Sequence, residues 1–505
     1  MKVESLWTSL TAVASSLVLV QSRSSLQLPL PLTGTCTPRS PRHSVTSSHT
    51  DTGSPDVAHP IVTLRGGAKA KAPTKTLPKS PRKVHGGNAP VVAVGSGTAT
   101  VASEIFNLVK AIVGVGVLSL PAGIAAFGDA PSALVPALAL IAIIGVLSGY
   151  GFAIIGRVCA YTGATSYRDA WSRSVGEGTS WIPAWSTTLK TFLACLAFSM
   201  VLADTFSSLL GQSADQRTQV LLAVTAIILL PLCWMKNLAS LAPFSLLGVM
   251  GMAYTAFAMT VRYLDGSYST GGTGVLVESV AAALRPKFGN AGWESVASPS
   301  SLILVCMLST AYMAHFNAPK FYLELQNNTL PRYHRVVGTS FGISILLMGF
   351  ITAIGFLTFG ANASGLVLNN YASKDSWMSM SRVAVAVSLV FSYPLAFQGC
   401  RDGVLDLLNV SSESRKNSLL NFTTILLLAV LTTLAAALRD VSFVLAFGGA
   451  TLGNLLTYVY PAIMYKAVVD KQGRKERLGV TISSLSAVLG LVMGAVGAKL
   501  ALDKL

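Results

Sequence analysis

The chain has 505 residues, of which 52% are hydrophobic and only 11% charged, with a mean hydropathy of +0.59. An ordinary soluble domain is about 25% charged, so the composition argues against a string of soluble domains and for a polytopic membrane protein. Of the +16 net charge, half sits in residues 1–98, which hold 11 Lys or Arg against 3 acids; the basicity belongs to a tail and speaks against nucleic-acid binding.

Taken in chain order, Leu6 to Val20 is a short apolar run preceded by Lys2 and followed by Gln21 and Ser22. It reads as the core of a cleavable signal segment over 1–22 rather than as a span, with Glu4 its weak point. Residues 23–98 are rich in Ser, Thr, Pro, Arg, Lys and Gly, as in PRSPRHS and KAKAPTKTLPKSPRK, and carry too little apolar surface to order a core. A hydrophobic segment followed by a basic, acid-poor stretch resembles the bipartite targeting sequences of algae with complex plastids. An endomembrane signal, or a solvated tail contacting anionic lipid, is the alternative. The target membrane therefore stays open among plastid envelope, vacuolar or endomembrane, and plasma membrane.

The transmembrane part, 99–505, opens on Ser103 to Phe127, SEIFNLVKAIVGVGVLSLPAGIAAF. After Glu104, Asn107 and Lys110 it is free of charge and long enough to cross a hydrocarbon core of about 30 Å. An unbroken helix is not expected. Gly114 and Gly116 flank Val115 and Pro121 follows, whereas glycine costs a helix interior about 1 kcal/mol and proline removes a donor. Backbone that leaves the helical ladder inside a bilayer is tolerated only within protein or against a wet cavity, where transporters bind their cargo. The alternative is a tight glycine seam between helices.

Eleven apolar segments follow from hydropathy, over about 104–127, 133–156, 187–210, 219–235, 240–262, 300–320, 336–359, 380–403, 417–437, 441–466 and 480–501. The fourth is the shortest. Loops on the side of the tail carry fifteen Lys or Arg, those opposite nine, which favours the N-terminus inside and puts Asp265 to Pro299 on the far side. Spans 1–5 and 6–10 pair as halves. Span 6, LILVCMLSTAYMAHFNAPKFYLEL, carries Ser309, Thr310, His315, Asn317 and a late Pro319, an interruption to match that of span 1. Five spans per half require an inverted repeat, since an odd number flips the second copy. The fold class expected is thus all-α integral membrane, with broken helices 1 and 6 and one extra C-terminal helix.

Several separated motifs then carry a family resemblance. NLVKAIVGVGVLSLP is similar to the first span of the amino acid/auxin permease family, TGATSYRDAWSRSVG to the loop after its second span, and MVLADTFSSLL to the end of its third. HFNAPKFYLELQNNTLPRYHRVV, FLTFGANASGLVLNNY and VLAFGGATLGNLLTYVYPAIMY resemble its span 6 exit, span 7 exit and span 10. The resemblance covers about residues 103–470 and implies a secondary transporter of the wider amino acid–polyamine–organocation group, moving small, neutral amino acids by alternating access from a site at the breaks in spans 1 and 6.

A zwitterion needs N–H groups for its carboxylate and carbonyls or a hydroxyl for its ammonium. The half-helix after Gly114, Val115 and Gly116 offers the former with a positive dipole end. Carbonyls around Ala111 and at Thr310, Ala311 and Tyr312 offer the latter, with Tyr312 and Phe198 as candidates for side-chain selectivity. Sodium-coupled members of the family usually have Asn where Lys110 stands and Ser or Thr where Val115 stands, so the resemblance favours proton coupling or uniport. Lys110 would occupy or repel a sodium ion, and burial could let it titrate; snorkelling, or pairing with Glu104, is the alternative. Asn107, Lys110, Asp204 and Ser392, the last sharing a helical face with Ser388, are the candidate coupling residues. His315 is expected as a hydrogen-bonded structural residue.

Other chemistry is not supported. There is no CxxC or Cys/His cluster, no nucleophile with base and orienter, and no phosphate loop; the GxG of span 1 has no strand before it. Neither an enzyme, a cofactor nor a structural metal is expected. The implied partners are an amino acid, a proton and the lipid bilayer. An amino-acid-binding membrane sensor with slow transport, engaging partners through the tail, is the competing class.

Overall fold

The computed structural model describes residues 97–235, 244–269, 274–408, 410 and 414–503. The signal segment expected at 1–22 lies outside the described residues, as does the basic tail up to 96. Among the described residues sixteen α-helices follow in order: α1 (Val101–Ile112), α2 (Leu120–Ala125), α3 (Leu134–Thr162), α4 (Tyr167–Ser174), α5 (Trp181–Leu209), α6 (Arg217–Val224), α7 (Leu230–Trp234) and α8 (Phe244–Leu264). After the long loop come α9 (Ser301–Ala311), α10 (Ala318–Glu324), α11 (Leu330–Phe359), α12 (Ser376–Leu407), α13 (Asn417–Ala437), α14 (Val441–Gly448), α15 (Tyr460–Lys471) and α16 (Arg477–Asp503).

Among the described residues, nine segments are long and apolar enough to span a membrane, and ten when the bent pair Val101–Ile112 and Val115–Ala125 counts as one. The segment expected as the fifth span is a 21-residue helix, α8. The short fourth span runs from Arg217 to Trp234, 18 residues, with a π-helical turn at Thr225–Leu229 joining α6 to α7. Large apolar side chains point outward along the bundle, among them Val146, Ile227, Leu346 and Leu485. Helices that are apolar all round belong in lipid, where such exposure carries no penalty.

Close helix approach is built from glycine. On α3, Gly145, Gly149 and Gly156 face α11, where an added methyl would overlap Ile345, crowd Phe341 and overlap the ring of Tyr333 respectively. Helices in lipid gain little from the hydrophobic effect between themselves, so backbone proximity and dispersion hold this seam. Phe152 fills the space beside it, stacking on Tyr333 (ring centroids 6.1 Å apart) and meeting His315 edge-on (5.6 Å).

The two ends of the bundle are tied differently. At the end where the tail enters, Ala99 pairs with the chain after α10 through Ala99 N–H to Glu324 O (2.9 Å) and Gln326 N–H to Ala99 O (2.8 Å). Nearby, Glu476 accepts from Tyr161 (2.8 Å) and from Tyr465. At the far end the carboxylate of Asp375, fully buried, accepts two bonds from Arg262 at 2.8 Å and one from Tyr268 at 3.0 Å. Burial pushes the Tyr268 phenol well above its ordinary range, so it remains a donor there. Arg382, 1% exposed, donates to the carbonyls of Leu368, Tyr371 and Ala372 and pins the loop before α12.

Candidate functional site

The first span comes apart where its glycines stand. Val113 N–H still reaches Val109 O at 2.7 Å, but Gly114 N–H turns back to Ile112 O at 3.0 Å, and a 3-10 turn, Val115–Ser119, leads into α2. The two halves meet at 41°. Gly114 is extended (φ −109°, ψ −173°), a conformation open to any residue, so the backbone alone does not demand glycine there. A methyl group at Gly114 would meet nothing within 4 Å, and one at Gly116 only Leu445, at 3.9 Å. The small residue keeps space open rather than letting helices touch.

The sixth span, Ser301–Glu324, is also interrupted, although it runs on as one span rather than as a bent pair. After α9, Met313 N–H donates to Thr310 O (3.2 Å) and Ala314 N–H to Tyr312 O (3.0 Å), and a 3-10 turn at His315–Asn317 starts the second half. Both second halves begin with proline in the first turn, Pro121 in α2 and Pro319 in α10, where a missing N–H costs nothing. Proline here restarts each helix; the interruption itself lies five to eight residues earlier, at Val113–Gly114 and at Tyr312–Ala314.

Between the two breaks lies a cavity of about 140 Å³. Its walls are Ala111 and Gly114 to Val117 from the first span, Thr310, Ala311 and Met313 from the sixth, one face of α5 from Lys190 to Val201, and Val441, Val444, Leu445 and Gly448 from α14. Thr310 fixes the geometry of one wall by donating its hydroxyl to Leu445 O at 2.7 Å. At a helix end the last carbonyls and first N–H groups lack intrahelical partners, so two broken helices bring both kinds of group to one place.

Of the residues expected at the site, Ala111, Gly114, Val115, Gly116, Thr310 and Ala311 line this cavity, as does Phe198. Tyr312 points elsewhere: it is fully buried, donates to Ile141 O at 3.1 Å and stacks on Phe341. Lys110 is half-buried in the last turn of α1 and Asn107 is exposed one turn before it; neither is among the lining residues. Ser392 is half-buried on α12, away from the lining, and Ser388 faces Gly248 of α8. His315 is fully buried, with Nε2 2.9 Å from Ser148 O. Glu104, 1% exposed, has neither carboxylate oxygen hydrogen-bonded, so it does not pair with Lys110. One cavity residue went unremarked in the sequence: Lys190 of α5, whose ammonium lies 4.4 Å from the centroid of the Phe316 ring. A lysine inside an otherwise apolar span was signal enough to find it.

The sequence matches the family described as transmembrane amino acid transporter protein over residues 97–500. The chain belongs to that family. Relatives of this transporter include the amino acid transporter AVT6E of Arabidopsis thaliana, 23% identical over 419 residues, covering 78% of this chain and 81% of that protein. Vacuolar amino acid transporter 5 of Schizosaccharomyces pombe is 23% identical, covering 72% and 83%, and human solute carrier family 38 member 8 is 28% identical, covering 61% and 68%. The family consists of transporters rather than enzymes, and this member is an integral multi-pass membrane protein.

Asp204 of the transporter has a structural partner. Its carboxylate lies 2.5 Å from Arg217 Nε and accepts from Asn369 at 3.1 Å, while Arg217 also donates to Ala435 O at 3.0 Å. The pair is almost enclosed, with side chains 9% and 12% exposed, and joins α5, α6, α13 and the loop after α11 at the far end. Removing one member of a buried ion pair costs about 3–5 kcal/mol because the other charge is stranded. Asp204→Ala is therefore expected to lower the thermal midpoint of the detergent-purified protein by several degrees, and Asp204→Ala with Arg217→Met to lower it by less than the sum of the single changes. Additive losses would show that the two charges do not support one another.

Proposed function

We propose that this protein carries small, neutral amino acids across a membrane by alternating access, coupled to protons or uncoupled rather than driven by sodium. The observation that carries the reading is the cavity held between two interrupted spans. At about 140 Å³ it is well below the roughly 300–1,000 Å³ of sites for drug-sized ligands, a size for a small solute. In this reading the substrate carboxylate rests on the N–H groups that open the half-helix at Val115 and Gly116, and the ammonium is taken by carbonyls at Ala111 and from Thr310 to Tyr312. The cavity walls around them are mostly apolar and favour an uncharged side chain.

The same reading gives eleven spans, arranged as a five-plus-five inverted repeat with α16 added, and motion as a rocking of one helix set against the other. The matching breaks, each followed by a proline-led half-helix, support it. An ammonium at Lys110, one turn before the break, stands against a sodium ion in that region; Asn107 and Ser392 complete the proposed coupling set, with Asp204 anchoring the far end.

Counterflow of labelled amino acids in proteoliposomes of the purified full chain tests the proposal. Exchange is expected for small neutral amino acids in sodium-free buffer. Absence of exchange for all twenty amino acids would overturn the transport reading, and exchange that requires sodium would overturn the coupling.

A further inference from the structure

We propose that Lys190 is the residue through which this carrier links a proton to its cargo: the protonated amine favours the bound zwitterion, and its deprotonation favours release. The inference rests on the transport reading above and adds to it a residue and a coupling mechanism.

Lys190 is the one ionisable side chain among the described residues that line the cavity. It projects from the same face of α5 as Leu193, Ala194, Ala197, Phe198 and Val201, a spacing of three and four residues that puts a single charge at one end of an apolar wall. Its ammonium lies over the face of Phe316, in the turn that restarts the broken sixth span. A cation over an aromatic face gains some attraction, but no anion among the described residues supplies a counter-charge.

The surrounding charged and titratable groups are engaged elsewhere. On α5 itself, Cys195 is buried and Asp204 is held by Arg217. On α4, Asp169 pairs with Arg173, and Arg168 reaches Ser180. On α12, Arg401 lies beside Asp402, and Cys400 is buried. At the start of α15, Tyr460 bonds Ser186 at 2.8 Å, and His315, next to Phe316, is turned to Ser148 O. None of the described residues forms an ion pair with Lys190.

An uncompensated ammonium in a poorly polar cavity is costly, and a carboxylate arriving in the same cavity relieves that cost. Substrate therefore raises the affinity of Lys190 for its proton. By thermodynamic reciprocity, the proton raises the affinity for substrate by the same factor. That linkage is what symport requires: loaded carriers hold both or neither. Cation, carboxylate and aromatic ring also meet at a break, so the charge state of Lys190 acts on the segment that must move.

The test uses the full chain in proteoliposomes. In the wild type, a pH-sensitive dye should report protons moving with the substrate, and an imposed pH gradient should drive accumulation. Lys190→Met, neutral and of similar length, should weaken substrate binding in counterflow, make the exchange that remains independent of pH, and lose at least tenfold in gradient-driven accumulation. Lys190→Arg, which does not deprotonate, should bind substrate and fail to accumulate it. Accumulation in Lys190→Met with an unchanged proton dependence would overturn the proposal, as would net substrate uptake without proton movement in the wild type; the latter measurement decides even if a variant does not fold. A preference for acidic amino acids that Lys190→Met abolishes would also overturn it, making Lys190 a partner for substrate side chains. Absence of any wild-type counterflow would instead remove the transport reading on which the inference rests.

Discussion

Gly114→Leu is expected to abolish substrate exchange, by about 100-fold or more, while leaving the protein folded and its thermal midpoint close to that of the wild type. The residue lines the cavity, its backbone is extended at φ −109°, and an added Cβ has no neighbour within 4 Å. No described atom crowds that Cβ, and the cavity is the space beside it. A leucine would take up much of the 140 Å³ and shield the N–H groups that open the following half-helix. A 100-fold loss corresponds to about 2.7 kcal/mol, less than excluding the cargo outright would give. Gly114→Ala, which adds one methyl, should cost much less. The measurement is counterflow in proteoliposomes beside a melting curve in detergent. Undiminished exchange in Gly114→Leu would mean that cargo does not pass beside this break.

How much of this could be read from residues alone depends on how local the physics is. The interruption of the first span was legible because two glycines and a proline within eight positions work against a continuous helix. That of the sixth showed as polar residues and Pro319 late in an apolar run. The spans themselves were legible from hydropathy, which needs only a window of neighbours. Side-chain direction past a break was not. At the end of α9 Tyr312 still closes a helical bond to Leu308 O (2.9 Å) and, two residues or about 200° round from Thr310, turns to Ile141 of α3 rather than into the cavity. Partnerships across the bundle were equally hidden: Asp204 meets Arg217 around a turn, thirteen residues on, and Asn369 at a separation of 165, distances that no helical spacing rule reaches. Lys190 was visible in the sequence, but its meaning depends on facing the same cavity as Gly114 and Thr310, which only the packing of α5 shows.

Gly449→Val carries the opposite expectation from Gly114→Leu, with loss of the folded protein rather than loss of transport by a folded one. Gly449 opens a π-helical turn, Gly449–Gly453, directly after α14, and a Cβ there would overlap the carbonyl of Cys306 on α9. The obstacle is backbone, which cannot swing aside as a side chain can. Overpacking a tight contact costs typically about 1–3 kcal/mol and more when main chain must shift, and a β-branched residue is stiff besides. The expected result is a sharply lower melting point or no monodisperse protein at all. Gly338→Ala on α11 is the control: its Cβ would meet nothing within 4 Å, so replacing glycine within a helix should be neutral or stabilising by up to about 1 kcal/mol. Equal stability of the two variants would mean that α9 and the turn after α14 do not approach as closely as described. That approach matters for the site, because Thr310 and Gly448 both line the cavity and the Thr310 hydroxyl is bonded to Leu445 O. Glycine thus serves two ends within one wall, opening space at Gly114 and closing helices together at Gly449, and the two substitutions separate loss of the site from loss of the bundle.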